Sequence, residues 1–486
     1  MSIPMAADVV LSRVREIADR RSVECYLTGG FVRDSIVGRP TADVDLVVGC
    51  DAMGVAREAA AAIGGKYVSL DEPHQIARVI VPGEEHLHLD FATIRGGIEN
   101  DLLLRDFTMN AVAVDLHRAH ESGPALVDPT GGERDIRAGL VRAIAEPRLR
   151  EDPARLVRAP RLAAELGFSI EPETRAMIQR NHQLIADVAA ERVRDELCRL
   201  LAVPGAAGWL RVLDELGLLM VVLPELAATK GVEQPKEHVW DVFEHSIQTV
   251  AGVEFVLRED AAGLWGRDIL NLVPWSDELE TYFREEVSVG HTRGMLLKLT
   301  ALLHDVAKPQ TKFIDENGRM RFFGHGKEGA GIAYRAMRRL RFSARESSMV
   351  STMVENHLRP AQMGGEMPSR RAIYRYFRDT GEVGVDTMFL SLADHLATRG
   401  FHLELEGWRE HAQSMAYVLE QRTRDESVVR PPKLISGHDL IDTFDMEPGP
   451  RIGELLEAVG EAHAAGEVTT REDALAFVRE WLGARS

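Results

Sequence analysis

Apolar residues change their spacing once along this chain, near residue 150, and that change limits the fold more than any other feature. Up to about residue 140 they come in short runs. CYLTGG (25–30), DVDLVVG (43–49), KYVSL (66–70), ARVIV (77–81) and LHLDFAT (87–93) read as strands. Two helices accompany them: one before the first run, over 5–20, where Val9, Val10, Leu11, Val14 and Ile17 form one apolar face, and an Ala-rich one between runs, over 52–63. Beyond 150 the interval becomes three and four, as in Leu156, Leu162 and Leu166, then Ile185, Val188, Val193, Leu197 and Leu200. The expected fold class is therefore α+β. A small mixed-sheet head over 1–140 precedes a helical neck over 141–205, a helical body over 206–430 and a helical tail over 431–486, a division that suits 486 residues. Residues 258–290 hold eight acids and three arginines with few periodic apolar residues, so an inserted loop or lid is expected there.

A formal net charge of −18, from 58 Lys+Arg against 76 Asp+Glu, argues against coating nucleic acid through bulk electrostatics. Local RNA contact stays open. Only eight of those cations are lysine, and the arginines that dominate are suited to forked contacts with phosphates and base edges. No apolar run approaches the ~20 residues that cross a bilayer, so a cytoplasmic protein without membrane contact is expected. Cys25, Cys50 and Cys198 lie far apart without metal-ligand spacing, which points to core filler instead of a disulfide framework.

The chemistry begins at Gly29-Gly30-Phe31-Val32-Arg33-Asp34, followed by Asp43-Val44-Asp45. Two glycines after a strand let the backbone approach phosphates closely, and a helix opening at 32–34 aims N–H groups at the same place. Asp43 and Asp45, two apart on a strand, point to one face and can jointly grip Mg²⁺. A pair of metals held this way activates an attacking hydroxyl and neutralises a leaving pyrophosphate. Further along come Arg105-Asp106-Phe107-Thr108-Met109-Asn110, then Asp128-Pro129-Thr130-Gly131-Gly132, then Glu151-Asp152-Pro153-Ala154-Arg155-Leu156-Val157-Arg158. The last reads as a Pro-started helix whose Asp152, Arg155 and Arg158 lie on neighbouring turns, presenting acceptor and donor to a base edge.

Together with ERVRDEL (191–197), these segments resemble, in order and spacing over 24–202, the class II tRNA nucleotidyltransferases, or CCA-adding enzymes, and their bacterial poly(A) polymerase relatives. The resemblance implies addition of C, A or both to the tRNA 3′ end from CTP and ATP, without a nucleic-acid template and with release of pyrophosphate. It implies that Asp43 and Asp45 carry Mg²⁺, with Asp90 in LDFAT as the third carboxylate. Gly29, Gly30, Arg33 and Asp34 match the triphosphate side. Arg105, Asp106 and Asn110 match the segment that checks the ribose 2′-hydroxyl, and Asp152 and Arg155, with Arg158 nearby, match the protein template that selects the base. The chain departs from the family at 70–90, where Leu70-Asp71-Glu72-Pro73-His74 replaces the common version of the loop that switches nucleotide choice.

The second half carries another ordered set: His245, then His304-Asp305 placed inside an apolar helix by Leu302-Leu303-His304-Asp305-Val306-Ala307-Lys308, then His325, His357 and Asp394. Imidazole and carboxylate suit Mn²⁺, Mg²⁺, Ni²⁺ or Fe. The set resembles the HD-domain phosphohydrolases. That implies His245, His304, Asp305 and Asp394 as the primary metal ligands, with His325 and His357 as the extra pair of two-metal members. The tail from Ile435-Ser436-Gly437-His438 onward reads as a turn and two amphipathic helices. Arg335, Arg338, Arg339 and Arg341, and Arg370, Arg371, Arg375 and Arg378, form basic helix faces that are either solvated or available to phosphates. Alternatives within this reading are a CC-adding enzyme, an A-adding enzyme and a poly(A) polymerase. One further away is a metal-dependent phosphohydrolase whose head binds RNA.

Overall fold

The computed structural model describes residues 5–83, 87–119, 126–259, 264–363, 367–424, 429 and 432–483. Its contacts divide the chain into two compact units, Met1–Glu196 with Val212–Val222, and Leu197–Arg211 with Leu223–Ser486.

The first unit is built on a seven-stranded sheet: β1 (Cys25–Thr28), β2 (Asp43–Val48), β3 (Lys66–Asp71), β4 (Ile76–Ile80), β5 (His88–Thr93), β6 (Ala113–Asp115) and β7 (Leu126–Val127). The order is β3-β4-β5-β2-β1-β6-β7. Every neighbouring pair is antiparallel except β2 and β5, which run parallel with Asp45 opposite Asp90. Val44, Leu46 and Val48 on β2 are buried, so strand alternation turns Asp43 and Asp45 together to the other face. The helix Met5–Arg21 buries Val10, Leu11, Val14 and Ile17, whereas Val9 is 64% exposed. The face is narrower than the run of valines suggests, because Val9 lies ~100° around the helix from Val10. The Ala-rich helix Ala52–Ile63 matches its expected span and packs on β4 and β5.

The second unit is helical around Val242–Val256, Arg293–Leu303, His325–Arg339, Ala344–Asn356 and Gly384–Arg399. Helices Val242–Val256 and Gly384–Arg399 approach closely because Gly252 leaves room; a Cβ there would stand 2.7 Å from the Ala393 carbonyl oxygen. The segment expected to be a loop or lid is folded where it is described. Helices Arg267–Leu270 and Asp277–Arg284 lie within it, and Ile269, Leu270, Val273 and Phe283 are buried, with the Phe283 ring 4.7 Å from Phe389.

The tail holds three helices, Gly437–Phe444, Pro450–Ala464 and Arg471–Gly483, around Leu440, Leu455, Val459 and Val478, one more than its pattern suggests. One basic face is spoken for by this tail. Arg371 pairs with Glu467 at 2.7 Å, Arg375 with Glu461 at 2.6 Å and Arg378 with Glu457 and Glu461. Of the other face, Arg339 pairs with Glu225 at 2.8 Å. Cys25 and Cys198 are buried as core residues, but Cys50 is exposed. Among the described residues, no helix is long and apolar enough to cross a membrane.

Candidate nucleotide and metal sites

At the C-terminal end of β1 the chain turns directly into the helix Gly29–Val37, three residues earlier than its sequence suggests. Gly29 has φ of +65°, and a Cβ on it would meet Asp45 Oδ2 at 2.5 Å. Only glycine fits that approach. It lets the Gly30 N–H donate to Asp45 Oδ2 at 3.0 Å, so the turn and the carboxylate on β2 fix each other. Burial pushes the Asp45 carboxyl up from the usual carboxylate range; Arg105 opposes this, and Asp90 and Asp43 add to it. Like charges gathered on one strand face suit a cation, which would relieve both burial and repulsion.

Asp90 stands beside Asp45 in register, but Arg78 on β4 forks onto it, Nε to Oδ1 and Nη2 to Oδ2, both at 2.7 Å. Sequence reading names Asp90 and misses Arg78. The signal was the antiparallel register that sets Arg78 opposite Asp90, which exists only once the strands are paired.

Behind the turn, polar groups form one continuous chain. Arg33 forks onto Asp34 at 2.9 and 3.0 Å and donates to Asn110 Oδ1 at 2.8 Å. Asn110 donates to Asp106 Oδ1 at 3.1 Å, and Arg158 donates to Asp106 Oδ2 at 3.2 Å and to Glu196 Oε1 at 2.9 Å. Glu196 also accepts from Arg161 at 2.7 Å. Arg105 sits alongside, donating to the Asn110 carbonyl at 3.3 Å and pairing with Asp101 at 3.4 Å. Arg33, Asp34, Asp106, Arg161 and Glu196 are all buried, so each charge is satisfied by its neighbours instead of water.

Asp152 and Arg155 do not share one helix as expected. Asp152 stands in the break between helices Glu146–Glu151 and Ala154–Leu166 with φ of −135° and ψ of 89°. The proline that follows disfavours the helical conformation there. The pair is still together: Arg155 Nε lies 3.8 Å from Asp152 Oδ2 and its Nη1 donates to the Arg148 carbonyl at 2.9 Å. Arg192 donates to Asp152 Oδ2 at 2.8 Å and, against the opposing effect of burial, holds the carboxyl below its usual range. Arg192 and Glu196 both lie in ERVRDEL, one turn apart, a segment singled out as a motif without either residue being given a partner.

In the second unit the histidines and aspartates converge. His304 and Asp305 lie in the turn after helix Arg293–Leu303, not inside it, and His357 follows helix Ala344–Asn356 in the same way. His245 Nε2 is 3.3 Å from His304 Nε2 and 3.0 Å from Asp394 Oδ1. His325 and His357 bring their Nε2 atoms to 3.2 Å. Asp305 stands between the pairs, with Oδ2 3.1 Å from His304 and Oδ1 3.4 Å from His325. His304, His325 and His357 each direct Nδ1 at a backbone carbonyl, of Ala301, Phe322 and Val354, at 2.8, 2.6 and 2.7 Å. With Nδ1 held at a carbonyl, each Nε2 faces the centre.

Those atoms form two potential ion-holding groups, His245–His304–Asp305 and Asp305–His325–His357. The donor set fits a divalent cation. Asp305 is buried, and neither of its oxygens accepts a well-formed hydrogen bond even though Lys308 Nζ approaches to 2.5 Å. Although burial opposes it, the negative charge of Asp305 and Asp394 pushes the His304 imidazole up to about 10. Burial pushes His357 down to about 3, keeping it neutral. Lys308, anchored to Gln234 at 2.7 Å, is a neighbour that the ligand pattern does not include.

The poly A polymerase head domain model matches residues 25–99 and 96–142, and the RNA- and SrmB-binding site model of polymerase A matches 167–230. The HD domain model matches 242–399, and tRNA nucleotidyltransferase domain 2 matches 404–478. The chain is 34% identical to the A-adding tRNA nucleotidyltransferase of Deinococcus radiodurans over 466 residues, 94% of this chain and 95% of that one. It is also 34% identical to the CC-adding tRNA nucleotidyltransferase of Thermus thermophilus over 469 residues, 95% of this chain and 94% of the other. The chain belongs to the tRNA nucleotidyltransferase family. A solved CCA-adding enzyme in its apo form I shares the fold of this family member, with a TM-score of 0.63 at 20% identity over 99% of this chain and 95% of that one. The Thermotoga maritima CCA-adding enzyme complexed with tRNA gives 0.59 at 20% identity over 99% and 96%.

Proposed function

We propose that this tRNA nucleotidyltransferase adds C, A or both to the tRNA 3′ end from CTP and ATP in the cytoplasm. The observation that carries the reading is the pair Asp43 and Asp45 on one face of β2, with the Gly30 amide fixed on Asp45. Asp43 and Asp45 are the residues to hold Mg²⁺, which when bound neutralises the charge that builds on the transferring phosphate and lowers the pKa of the attacking 3′-hydroxyl. Gly29 and the first amides of its helix leave space and donors for the triphosphate. Arg33 and Asp34, tied to Asn110, orient that side of the site. Arg105, Asp106 and Asn110 meet the ribose. Asp152 and Arg155, steadied by Arg192, meet the base edge, with Arg158 buttressed behind them. Asp90 completes the carboxylate row, balanced by Arg78.

The test is to incubate the protein with tRNAs lacking the last three, two or one nucleotides and with CTP or ATP alone. Incorporation on these ends separates full addition from CC-only or A-only addition, and runs of A beyond one residue mark a poly(A) polymerase. Asp43→Ala and Asp45→Ala are expected to abolish incorporation while leaving tRNA binding intact. Near-normal incorporation by both would remove the reading.

A second activity has its own observation: three imidazoles locked by backbone carbonyls around Asp305. His245, His304, Asp305 and Asp394, joined by His325 and His357, are the residues to hold Mn²⁺, Ni²⁺, Mg²⁺ or Fe in a phosphohydrolase centre. The double change His304→Ala with Asp305→Ala is expected to remove metal-stimulated phosphodiesterase activity and leave nucleotide addition within a few fold.

A further inference from the structure

Arg78 on β4 stands at the end of the carboxylate row that β2 and β5 carry. Asp45 is opposite Asp90 across β2 and β5, and Asp90 is opposite Arg78 across β5 and β4, so the three side chains share one face of the sheet. Ala77 and Val79, on either side of Arg78 in β4, turn to the opposite face and are buried. Hydrogen bonds to Asp90 make the Arg78 guanidinium more basic against the opposing effect of burial, and the charges of Asp90, Asp43 and Asp45 add to this. The cation therefore lies beside the whole row.

Only one edge of that guanidinium is used. Nε and Nη2 fork onto Asp90, and among the described residues nothing else accepts a hydrogen bond from Arg78. The edge formed by Nη1 and the second Nη2 hydrogen is left over, on a side chain that is 35% exposed. Such an edge is the planar fork that matches two oxygens of a phosphate. Which phosphate it takes follows from the sheet order, because β4 and β1 lie on opposite sides of the strand that carries Asp43 and Asp45. The turn at Gly29 and Gly30 ends β1, three strand spacings or about 14 Å from β4. In-line transfer puts the attacking 3′-oxygen and the leaving pyrophosphate on opposite sides of the phosphorus under attack. With the triphosphate tail at the β1 turn, the RNA end comes in over β5 and β4.

We propose that Arg78 is the contact for the acceptor end: clamped by Asp90, it holds the last internucleotide phosphate of the tRNA and so seats the terminal 3′-hydroxyl before Asp43 and Asp45. The proposal rests on reading the first unit as a nucleotidyltransferase with its triphosphate at Gly29 and Gly30, and it assigns the opposite side of the same site.

The test is a cycle on the full-length protein, with two RNA ends and two side chains at position 78. The RNA is the tRNA end that the wild-type protein extends, made with its last internucleotide linkage either charged or as a neutral methylphosphonate. The sugar on the 5′ side of that linkage is 2′-deoxy in both, so that the neutral linkage survives. For the wild-type protein the neutral linkage is expected to raise KM for the RNA about tenfold, the size of one lost charge-assisted hydrogen bond. Arg78→Ala should raise KM for the charged RNA by the same factor and show no further rise with the neutral one, with KM for CTP or ATP unchanged. Arg78→Lys keeps a cation beside Asp90 but cannot fork onto two partners, and should behave in the same way. Penalties that multiply would mean that Arg78 does not touch this phosphate, and would overturn the proposal. So would a fall in kcat shared by both RNAs with KM unmoved, which marks a clamp for Asp90 alone, or a rise in KM for the nucleoside triphosphate. If the wild-type protein extends no tRNA end, the nucleotidyltransferase reading falls. The same cycle, read as equilibrium binding of a tRNA lacking its last three nucleotides, then decides the contact separately: a tenfold difference that Arg78→Ala abolishes keeps it, and no difference overturns it.

Discussion

Gly29 shows how little freedom a single position has in the first unit. Its φ of +65° and its approach to Asp45 exclude a Cβ on two independent grounds. Gly29→Ala is expected to cost about 1–2 kcal/mol of stability from the left-handed backbone. It should lower nucleotide addition about a hundredfold by displacing Asp45, since a misplacement of about 1 Å costs that much. Urea unfolding and single-nucleotide incorporation measure the two effects separately, and a variant with wild-type rates would show that Asp45 need not be held by the turn. The turn at Gly29-Gly30 and the shared face of Asp43 and Asp45 were legible in the sequence because each depends on neighbours one or two positions away, whereas the bond from the Gly30 amide to Asp45 joins two elements and was not. Arg78, Arg192 and Glu196 were not assigned, because what matters about each is a partner brought in from another element: Asp90 across the sheet, Asp152 in a helix break, Arg158 and Arg161 on a separate helix.

Helix Ala344–Asn356 depends on its own first turn. Ser343 and Glu346 form a reciprocal capping box, and Glu346 also accepts from His291 Nδ1 at 2.6 Å and Ser288 Oγ at 2.8 Å. Burial works against the charged form, but the bonds from His291, Ser343 and Ser288 win and hold the Glu346 carboxyl down at about 2. A carboxyl whose pKa is lower folded than unfolded stabilises the fold at pH values above its unfolded pKa. That stability is lost as pH falls from about 4.5 toward about 2. Glu346→Gln should therefore be less stable than wild type at neutral pH and lose less on acidification, so the two urea midpoints converge over that window. Parallel pH profiles would remove Glu346 as the source. At this scale five of the seven strands of the sheet and the long helices were legible from apolar spacing, whereas β6 and β7, three and two residues long, and the segment 258–290 were not. Helices of four and eight residues show too little of a 3.6-residue period, and Ile269, Leu270, Val273 and Phe283 are buried by partners elsewhere in the chain.

Two compact units with separate ligand sets should unfold as two events. Scanning calorimetry of the full-length protein is expected to resolve two transitions. Mn²⁺ should raise only the one belonging to the unit with His245 and His304, and CTP with Mg²⁺ should raise only the other. Ligand at a hundredfold excess over its Kd stabilises its own unit by about 2.7 kcal/mol. One transition that responds to both ligands would mean that the units melt as one. The sequence pattern placed the boundary between strand-bearing and helical chain near 150, but the first compact unit runs on through Glu196. The reason lies in the row of groups from Asp34 through Arg33, Asn110, Asp106 and Arg158 to Glu196 and Arg161. Negative and positive charges face each other along it, with one amide in the middle, so an isolated change strands a buried charge at the neighbouring link. Such a set is expected to drift over generations as a group, a change in one member favouring descendants that carry a matched change in the next.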